Sequence, residues 1–350
     1  GDNNLSAIKK VIIPSIKPVI FAGMALVIFE TISDLGGVRT LNVETFTVGI
    51  YDAWFGYQSY FSAARLAGYL LIFVLFIIFI SKYFGSKSDS TAPKTAEVFE
   101  KIELGIASKY LSTITCFLIF SFVFCMPFIQ LILWHFDNSY FDLFEHLKLL
   151  LNSVTIGIFV ALLTVFFAIS LALSYKKTRY LKPMISISTS GYAIPGSVIS
   201  AGLLISFDLI FNTAITLYGI LGLILCLSLR FMTPAFNYIS SSLANISKSS
   251  ENALQTHPKN SYKAFINFYL PQIRPAILLG IMIVFIESIK EQPATLLLRP
   301  VGFDTLSTKV YNFTSEGQWV MASSPSLLLI LLSLIFVYLI NKNIDLSKHN

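Results

Sequence analysis

Long apolar runs constrain this chain more than any other feature of its sequence. Most of them approach or exceed the roughly 20 residues that a helix needs to cross a bilayer. Only 13% of the residues are charged, about half the share in a soluble domain. The chain therefore has too little polar surface for a water-soluble globule. The eight runs lie near residues 17–34, 63–82, 110–134, 151–175, 184–206, 213–236, 274–292 and 324–341.

These runs favour helices over strands. Backbone N–H and C=O groups in lipid need hydrogen-bond partners within the protein, and a helix satisfies them inside one segment. Strands that span a membrane alternate between polar and apolar residues, and the runs lack that alternation. The sequence predicts an all-α, polytopic transmembrane bundle of about eight spans.

Lysine and arginine are concentrated in alternate loops between the predicted spans. One set of loops and chain ends holds 19 of these residues, including Arg230, and the opposite set holds 6, including Lys290. Because basic loops face the cytoplasm, we expect both chain ends on the cytoplasmic side of the membrane. This topology accounts for the formal net charge of +6 without any binding to nucleic acid.

Two distant segments of the chain repeat each other without a gap. Residues 14–30 read PSIKPVIFAGMALVIFE, and residues 271–287 read PQIRPAILLGIMIVFIE. Two prolines, a glycine and a glutamate occupy the same positions in both. After a short insertion the match resumes between TFTVGIY (45–51) and TLSTKVY (305–311). We interpret the two segments as copies of one duplicated unit, the first copy and the second copy.

The repeat divides the chain into two unequal modules. Residues 1–84 are expected to form the C-terminal part of a first module, with two spans. Residues 106–350 are expected to form a complete second module, with six spans. Residues 85–105 are rich in serine, threonine and lysine, and we predict a cytoplasmic linker there.

A polar stretch leads into (I/L)-P-x-x-(K/R)-P before a span in the second copy. It resembles the EAA motif, the cytoplasmic loop of ABC importer permeases that contacts the ATPase. Pro258 stands where that motif has a glycine, whereas Gly1 stands at the glycine position of the first copy. The resemblance implies that the chain begins inside its first coupling loop and is part of a longer, fused permease. The coupling-loop residues are Gly1, Pro14, Glu251, Ala253, Pro258, Ala264, Phe265, Leu270 and Pro271.

Three longer stretches resemble the ferric-iron permeases, a subfamily in which two modules are fused. They are ETISDLGGVRTLNVETFTVGIYDAWFG (30–56), SGYAIPGSVISAGLL (190–204) and KEQPATLLLRPVGFDTLSTKVY (290–311). The resemblance implies a permease subunit that takes ferric iron from a periplasmic binding protein. The resemblance also implies that an ATPase dimer on the cytoplasmic face of a bacterial inner membrane drives this permease. The chain has no G-x-x-x-x-G-K-[ST] phosphate-binding loop. We therefore expect that the chain has no enzyme activity and binds no cofactor, and that ATP binds to the partner ATPase.

Other cargoes and other classes of transporter stay open. Related permeases carry thiamine, phosphonates, sulfate or polyamines, and a fold does not fix its cargo. An ATP-independent secondary transporter or channel would also explain the spans and the repeat, but not the proline-framed loops. The partners implied are the lipid bilayer, the ATPase dimer, the binding protein, and either a second permease chain or the missing N-terminal segment.

Glu30 and Glu287 are equivalent in the repeat and lie about twelve residues into their predicted spans. A carboxylate at such a depth usually faces protein or a water-filled path, and paired carboxylates suit a hard cation. The alternative is that both reach the outer interface and bond to Lys290 or to backbone. We assign no firm metal site. We expect Glu291 at the outer mouth of the path, and a kink in the helix at Pro195. The predicted path residues are Glu30, Glu287, Glu291, Pro195 and Gly196.

Two external segments, 44–58 and 304–319, carry aromatic and acidic residues at roughly helical spacing. The family resemblance implies that such segments form the surface on which the binding protein lands. An ordinary belt of interfacial tyrosine and tryptophan would produce the same composition.

Overall fold

A computed structural model describes residues 6, 8–85, 105–137, 141–211, 219–247, 263 and 265–348. The described residues form helices and no strand, which confirms the predicted all-α class. In chain order the helices are α1 (Ile13–Ser33), α2 (Gly36–Thr40), α3 (Phe46–Tyr51), α4 (Tyr60–Gly85), α5 (Ile106–Phe120), α6 (Met126–Asp137), α7 (Leu143–Lys177), α8 (Lys182–Ser188), α9 (Gly196–Phe211), α10 (Gly219–Arg230), α11 (Met232–Asn245), α12 (Leu270–Lys290), α13 (Pro293–Leu298), α14 (Leu306–Ser315) and α15 (Trp319–Lys348). Short π-helical segments cover Ile8–Ile12, Asp52–Gly56, Ser121–Cys125 and Phe265–Tyr269, and 3-10 turns cover Arg179–Leu181 and Gly191–Ala193.

Six segments are long and apolar enough to cross a membrane. They are built on α1, α4, α5 with α6, α7, α12 and α15. Two further pairs qualify only together, because α8 and α9 meet at a bend of 112° and α10 and α11 at a bend of 47°. The described residues therefore contain six to eight spans, and the chain is a multi-pass membrane protein.

The two bends have a common cause in proline. Pro195 lies between α8 and α9, and its carbonyl accepts hydrogen bonds from Val198 N (3.0 Å) and Ile199 N (3.2 Å), so the helix restarts there. This agrees with the predicted kink. Pro234 lacks the N–H that would bond the carbonyl of Arg230, so one helical hydrogen bond is missing where α10 meets α11. Hydropathy predicts a single unbroken run here and misses this second bend.

The core of the second module is formed by α7, α11 and α12, which pack against one another. Small residues allow this close approach. A Cβ atom at Gly157 of α7 would lie 2.8 Å from the ring of Phe285 in α12. Gly280 of α12 faces Val165 and Ala235 in the same way, at 3.5 and 3.7 Å from the nearest atoms.

The structure gives both copies of the repeat the same elements. Helices α1 and α12 each have 21 residues, with proline in the first turn and a five-residue π-helical segment immediately before them. Each is followed by two short helices and a long one. The threonines at the N-caps of α3 and α14, Thr45 and Thr305, accept a hydrogen bond from the backbone N–H three residues on.

The backbone strain repeats as well. Left-handed φ values occur at Asn42 (56°) and Gln58 (49°) in the first copy, and at Gly302 (79°) and Gly317 (73°) in the second. Each residue of the first copy stands at or next to the position equivalent to its glycine counterpart. The two copies therefore share turn geometry even where their residues differ.

The first copy meets the second module along a seam. There α4 packs against α9, α2 against α14, and α3 against α13. A small apolar cluster of Leu35, Val48, Leu296 and Tyr311 joins residues of both copies at this seam. The seam is where residues equivalent in the repeat come face to face.

Candidate functional site

The two equivalent glutamates lie on either side of one ammonium group. Lys290 Nζ is 2.9 Å from Glu287 Oε2 and 3.7 Å from Glu30 Oε1. The Glu30 side chain is 48% exposed and that of Glu287 is 19% exposed. The structure thus brings the two predicted path carboxylates together across the seam. It also forms the contact with Lys290 that the alternative interpretation named, and the path role of these residues stays a prediction.

Tyr192 joins this group from the bend between α8 and α9. Its hydroxyl donates to Glu30 Oε2 at 3.1 Å. Thr233 holds the turn in place, because its Oγ1 accepts from Tyr192 N (3.3 Å) and donates to the Thr189 carbonyl (2.5 Å). A Cβ atom at Gly191 would overlap the carbonyl of Leu229, so only glycine permits this approach. The two bends are therefore linked, and together they direct Tyr192 at Glu30.

Glu291 and Arg230 form a buried ion pair beside this group. Arg230 Nη1 lies 3.3 Å from Glu291 Oε1, and their side chains are 4% and 7% exposed. Ala294 N also donates to Glu291 Oε1, at 3.4 Å. Gly196 opens α9 against this pair, and a Cβ atom there would lie 2.6 Å from Arg230 Nη1. Four helix ends thus meet around one carboxylate.

The sequence did not predict this pair. Glu291 was expected at the outer mouth, and Arg230 was counted among the cytoplasmic loop residues. The two side chains are buried and lie 3.3 Å apart, so the two placements cannot both hold. A buried charge needs a partner of opposite sign, and each of these residues supplies that partner to the other. Counting charges by loop assumes that every charge lies in water, which fails for such a pair.

The path residues therefore fall into two adjacent groups. Glu30 and Glu287 share Lys290 at the seam. Glu291 and Gly196 lie together at Arg230, with buried Pro195 leading into Gly196. Tyr192 and Arg230 were missed as site residues. Tyr192 had a weak signal in SGYAIPG, where a tyrosine precedes a helix-breaking proline within an apolar run.

A pair of tyrosines, one from each copy, forms another contact across the seam. Tyr51 and Tyr311 are equivalent in the repeat, and their ring centroids lie 5.6 Å apart in an edge-to-face arrangement. Burial raises the pKa of Tyr311 to about 12 and also raises the pKa of Tyr51. The external aromatic residues were expected to form a landing surface. Phe46 and Phe55 are exposed, but Tyr311 and Trp54 are buried and cannot contribute to one.

Two equivalent arginines flank the tyrosines. Arg39 pairs with Asp52 at 2.7 Å, and Arg299 pairs with Asp304. Each arginine lowers the pKa of the tyrosine from the opposite copy, although burial outweighs this effect. The arginines are thus related by the repeat, whereas their acidic partners, Asp52 and Asp304, stand at different positions of the two copies. A cavity of about 410 Å³ opens beside Arg39 and Asp52.

Four of the predicted coupling-loop residues are described, and they lie at or just before the starts of α1 and α12. Pro14 and Pro271 are the second residues of α1 and α12, Leu270 is the first residue of α12, and Phe265 opens the preceding π-helical segment. At about 1.5 Å per residue, Pro271 is about 24 Å from Glu287 along α12. Gly1, Glu251, Ala253, Pro258 and Ala264 lie outside the described residues, as does nearly all of the linker 85–105.

Within the described residues, no group of three or more His, Cys, Asp or Glu side chains is placed to hold a metal ion. No model of a known protein family matches the sequence.

Curated proteins similar to the chain are permeases. The Fe(3+)-transport system permease protein FbpB 2 of Haemophilus influenzae is 28% identical over 340 residues, which cover 94% of this chain and 66% of that protein. The ferric transport system permease protein FbpB of Actinobacillus pleuropneumoniae is 34% identical over 124 residues, which cover 35% of this chain and 18% of that protein.

A second group of relatives carries a different name. The putative 2-aminoethylphosphonate transport system permease protein PhnV of Salmonella typhimurium is 24% identical over 193 residues, which cover 54% of this chain and 71% of that protein. The chain spans just under two thirds of the length of the first ferric relative and less than a fifth of the second. The sequence similarity, the membrane spans and the repeat all indicate the same relationship: the chain is a homologue of the ferric-transport ABC permease FbpB.

Proposed function

We propose that this chain is a transmembrane permease subunit of an ATP-driven importer, and that its cargo is ferric iron delivered by a periplasmic binding protein. One observation carries the proposal: a carboxylate from each copy, Glu30 and Glu287, contacts the same ammonium group at the seam. Hard cations prefer oxygen ligands of this kind. Similarity to a ferric-transport permease over 94% of the chain supports the same cargo.

The proposed path follows the seam. Transporters commonly place their pathway between two repeats and beside broken helices. Here the seam lies between the copies, and the bend at Pro195 presents Tyr192 to it. The group formed by Glu30, Glu287 and Lys290 holds two carboxylates against one ammonium, so its net charge attracts a cation.

The proposed energy source is an ATPase dimer on the cytoplasmic side, which binds the ATP. The coupling loops would lead into α1 and α12 at Pro14 and Pro271, and both chain ends would lie in the cytoplasm. ATP can drive transport only if the nucleotide-bound ATPases favour one arrangement of the two modules. The division into residues 1–84, 85–105 and 106–350 is part of this proposal.

A further partner is proposed for the first copy. In the second module Gly280 receives Val165 and Ala235, whereas a Cβ atom at Gly23, its equivalent, would meet no described atom within 4 Å. We propose that a second permease chain or a preceding segment packs helices against α1 at Gly23. Two complete modules would then engage the two ATPases.

The similarity to PhnV favours a second candidate, a permease for another small solute such as 2-aminoethylphosphonate. 2-Aminoethylphosphonate carries an ammonium group as well as a phosphonate, and its phosphonate end is recognised by paired basic groups. At the seam, Lys290 is outnumbered by carboxylates, and Arg230 is already paired with Glu291. This charge balance favours the cationic cargo.

Uptake in proteoliposomes tests the proposal. The chain is reconstituted with its ATPase and binding protein, and the uptake of radiolabelled ferric iron and ATP hydrolysis are measured together. We expect Leu270→Ala with Pro271→Ala to abolish coupled uptake, and Glu287→Gln to reduce it about ten-fold or more. Lys309→Met is the matched control, because Lys309 pairs with Glu145 outside the coupling loops and the seam group.

The outcomes separate the candidates. Competition by 2-aminoethylphosphonate, with no uptake of iron, would replace the ferric cargo by the phosphonate. Uptake that continues without ATP and is indifferent to the loop variant would indicate a secondary transporter or channel instead.

A further inference from the structure

We infer that Lys290 is a positioning residue that holds the two copies together through Glu30, and that this contact breaks when the seam opens. The inference rests on the proposed function only in assigning the opening to transport. The contact itself is a property of the chain alone.

Glu30 is bound across the seam from two directions. Lys290 Nζ lies 3.7 Å from Oε1, and the Tyr192 hydroxyl donates to Oε2 at 3.1 Å. Both donors belong to the second module, whereas Glu30 belongs to the first copy. Nearby, the seam is joined by the apolar cluster around Leu35 and Leu296. Apolar contacts have little directional preference, so the polar contacts to Glu30 favour one relative position of the two sides.

The lysine is present in one copy only. The residue equivalent to Lys290 in the first copy is Ser33, whose hydroxyl donates to the Phe29 carbonyl within its own helix at 2.7 Å. One ammonium group therefore serves both glutamates. The repeat thus has a glutamate in each copy but a lysine only in the second. The ion pair across the seam therefore joins Lys290 to Glu30 and has no equivalent in the opposite direction.

Lys290 can release Glu30 without losing every partner. Glu287 lies one turn earlier on the same helix, 2.9 Å from the ammonium, and moves with it. When the two sides separate, the ammonium keeps Glu287 and gives up only Glu30. The Lys290 and Glu30 side chains are 44% and 48% exposed, and ion pairs in such surroundings are weak, so we expect the contact to shift the closed population about two- to five-fold.

Spin labels on either side of the seam test this inference. Leu41 and Val301 are equivalent loop residues, 76% and 96% exposed, and both are replaced by cysteine for labelling. In this background alanine replaces the native cysteines, Cys116, Cys125 and Cys226. Pulsed EPR in lipid nanodiscs then gives the distribution of distances between the labels.

We expect Lys290→Met to raise the population at the longer distance about two- to five-fold over the parent. Lys290→Arg should restore the parent distribution, because it keeps the charge. Tyr192→Phe should shift the distribution in the same direction, because it removes the other contact to Glu30. The matched control is Lys309→Met, which breaks an ion pair with Glu145 inside the second module and should leave the distances unchanged.

A double variant makes the test specific to Glu30. If Lys290 acts through Glu30, then Lys290→Met combined with Glu30→Gln shifts the distances no further than Glu30→Gln alone. Additive shifts, or a Lys290→Met distribution equal to that of the parent, would overturn the inference. The distances are measured without cargo, so a failure to transport iron would not affect this result.

Discussion

Helices α1 and α12 are nearly the same structure in different surroundings. They share their length, their proline in the first turn and the π-helical segment that precedes them. Yet α12 packs against α7, α11 and α15, whereas α1 packs mainly against α4. Among the described side chains of α1, only Ala25, Phe29 and Ser33 are buried. The similar local sequences thus give the same helix in both copies, because a segment in lipid must satisfy its own backbone hydrogen bonds. How far each helix is buried depends on the other helices that pack against it.

The residues that follow these helices differ in the same way. Asp34 and Glu291 are equivalent, and each accepts a hydrogen bond from the backbone N–H three residues on, at 3.2 and 3.4 Å. Both therefore cap the next short helix. Only Glu291 is buried, and only Glu291 has an arginine partner among the described residues. Capping is a local property, and the ion pair depends on α10.

The largest expected effect comes from breaking that pair. Arg230→Met leaves Glu291 buried without a counter-charge, which typically costs about 3–5 kcal/mol. Asp34→Asn, in the exposed equivalent, should change stability by less than about 0.5 kcal/mol. Thermal unfolding of the purified protein in detergent measures both.

The control for this prediction removes both charges. Arg230→Met with Glu291→Leu should recover most of the lost stability, because no unpaired charge remains. Equal losses for Arg230→Met and Asp34→Asn would show that the buried pair contributes nothing beyond local capping.

A middle-sized effect is expected at the equivalent glycines. Gly280→Leu places a large side chain against Val165 and Ala235, whose atoms would lie 3.5 and 3.7 Å from a Cβ atom at this position, and overpacking of this kind costs about 1–3 kcal/mol. A Cβ atom at Gly23 would meet no described atom within 4 Å, so Gly23→Leu should leave the thermal stability of the chain unchanged or slightly higher. Equal destabilisation by both would mean that α1 is packed as tightly as α12.

A smaller effect is expected at the strained turns. Gln58 has a φ of 49°, where its second-copy counterpart is Gly317. A left-handed conformation costs a non-glycine residue about 1–2 kcal/mol. Gln58→Gly should therefore stabilise the protein by up to about 1 kcal/mol, and Gly317→Gln should destabilise it by about as much. Melting temperatures that move in the same direction for both variants would contradict this account.

The smallest effect at neutral pH is expected at the tyrosine pair. Burial raises the pKa of Tyr311 from 10.0 to about 12, so its contribution to stability is complete below pH 10 and is lost as the pH rises through 12. Tyr311→Phe should flatten the pH dependence of unfolding in that interval. Tyrosinate absorbance, compared with that of Tyr51→Phe, identifies which ring titrates. A tyrosinate signal complete by pH 10 would contradict the burial of Tyr311.

The repeat explains why part of this site was predictable. Glu30 and Glu287 stand at matching positions in two matching helices, so symmetry alone places them on related faces, and the structure brings them together. The bend at Pro195 follows from the chemistry of proline. Arg230 lacks such a signal and Tyr192 has only a weak one, because their partners depend on how two bent spans are joined by Thr233. Hydropathy reports the length of a span and not the direction of its side chains.

The π-helical segments before α1 and α12 have a consequence for how the protein can change its sequence. Each such turn closes its hydrogen bonds one residue later than an α-helix does. Deleting one residue there would rotate everything before it by about 100° relative to the span. Both copies keep this extra residue at the same place. The two segments therefore change the rotation of the helix by the same amount at the same distance before each span. An insertion or deletion in one copy alone would remove that correspondence.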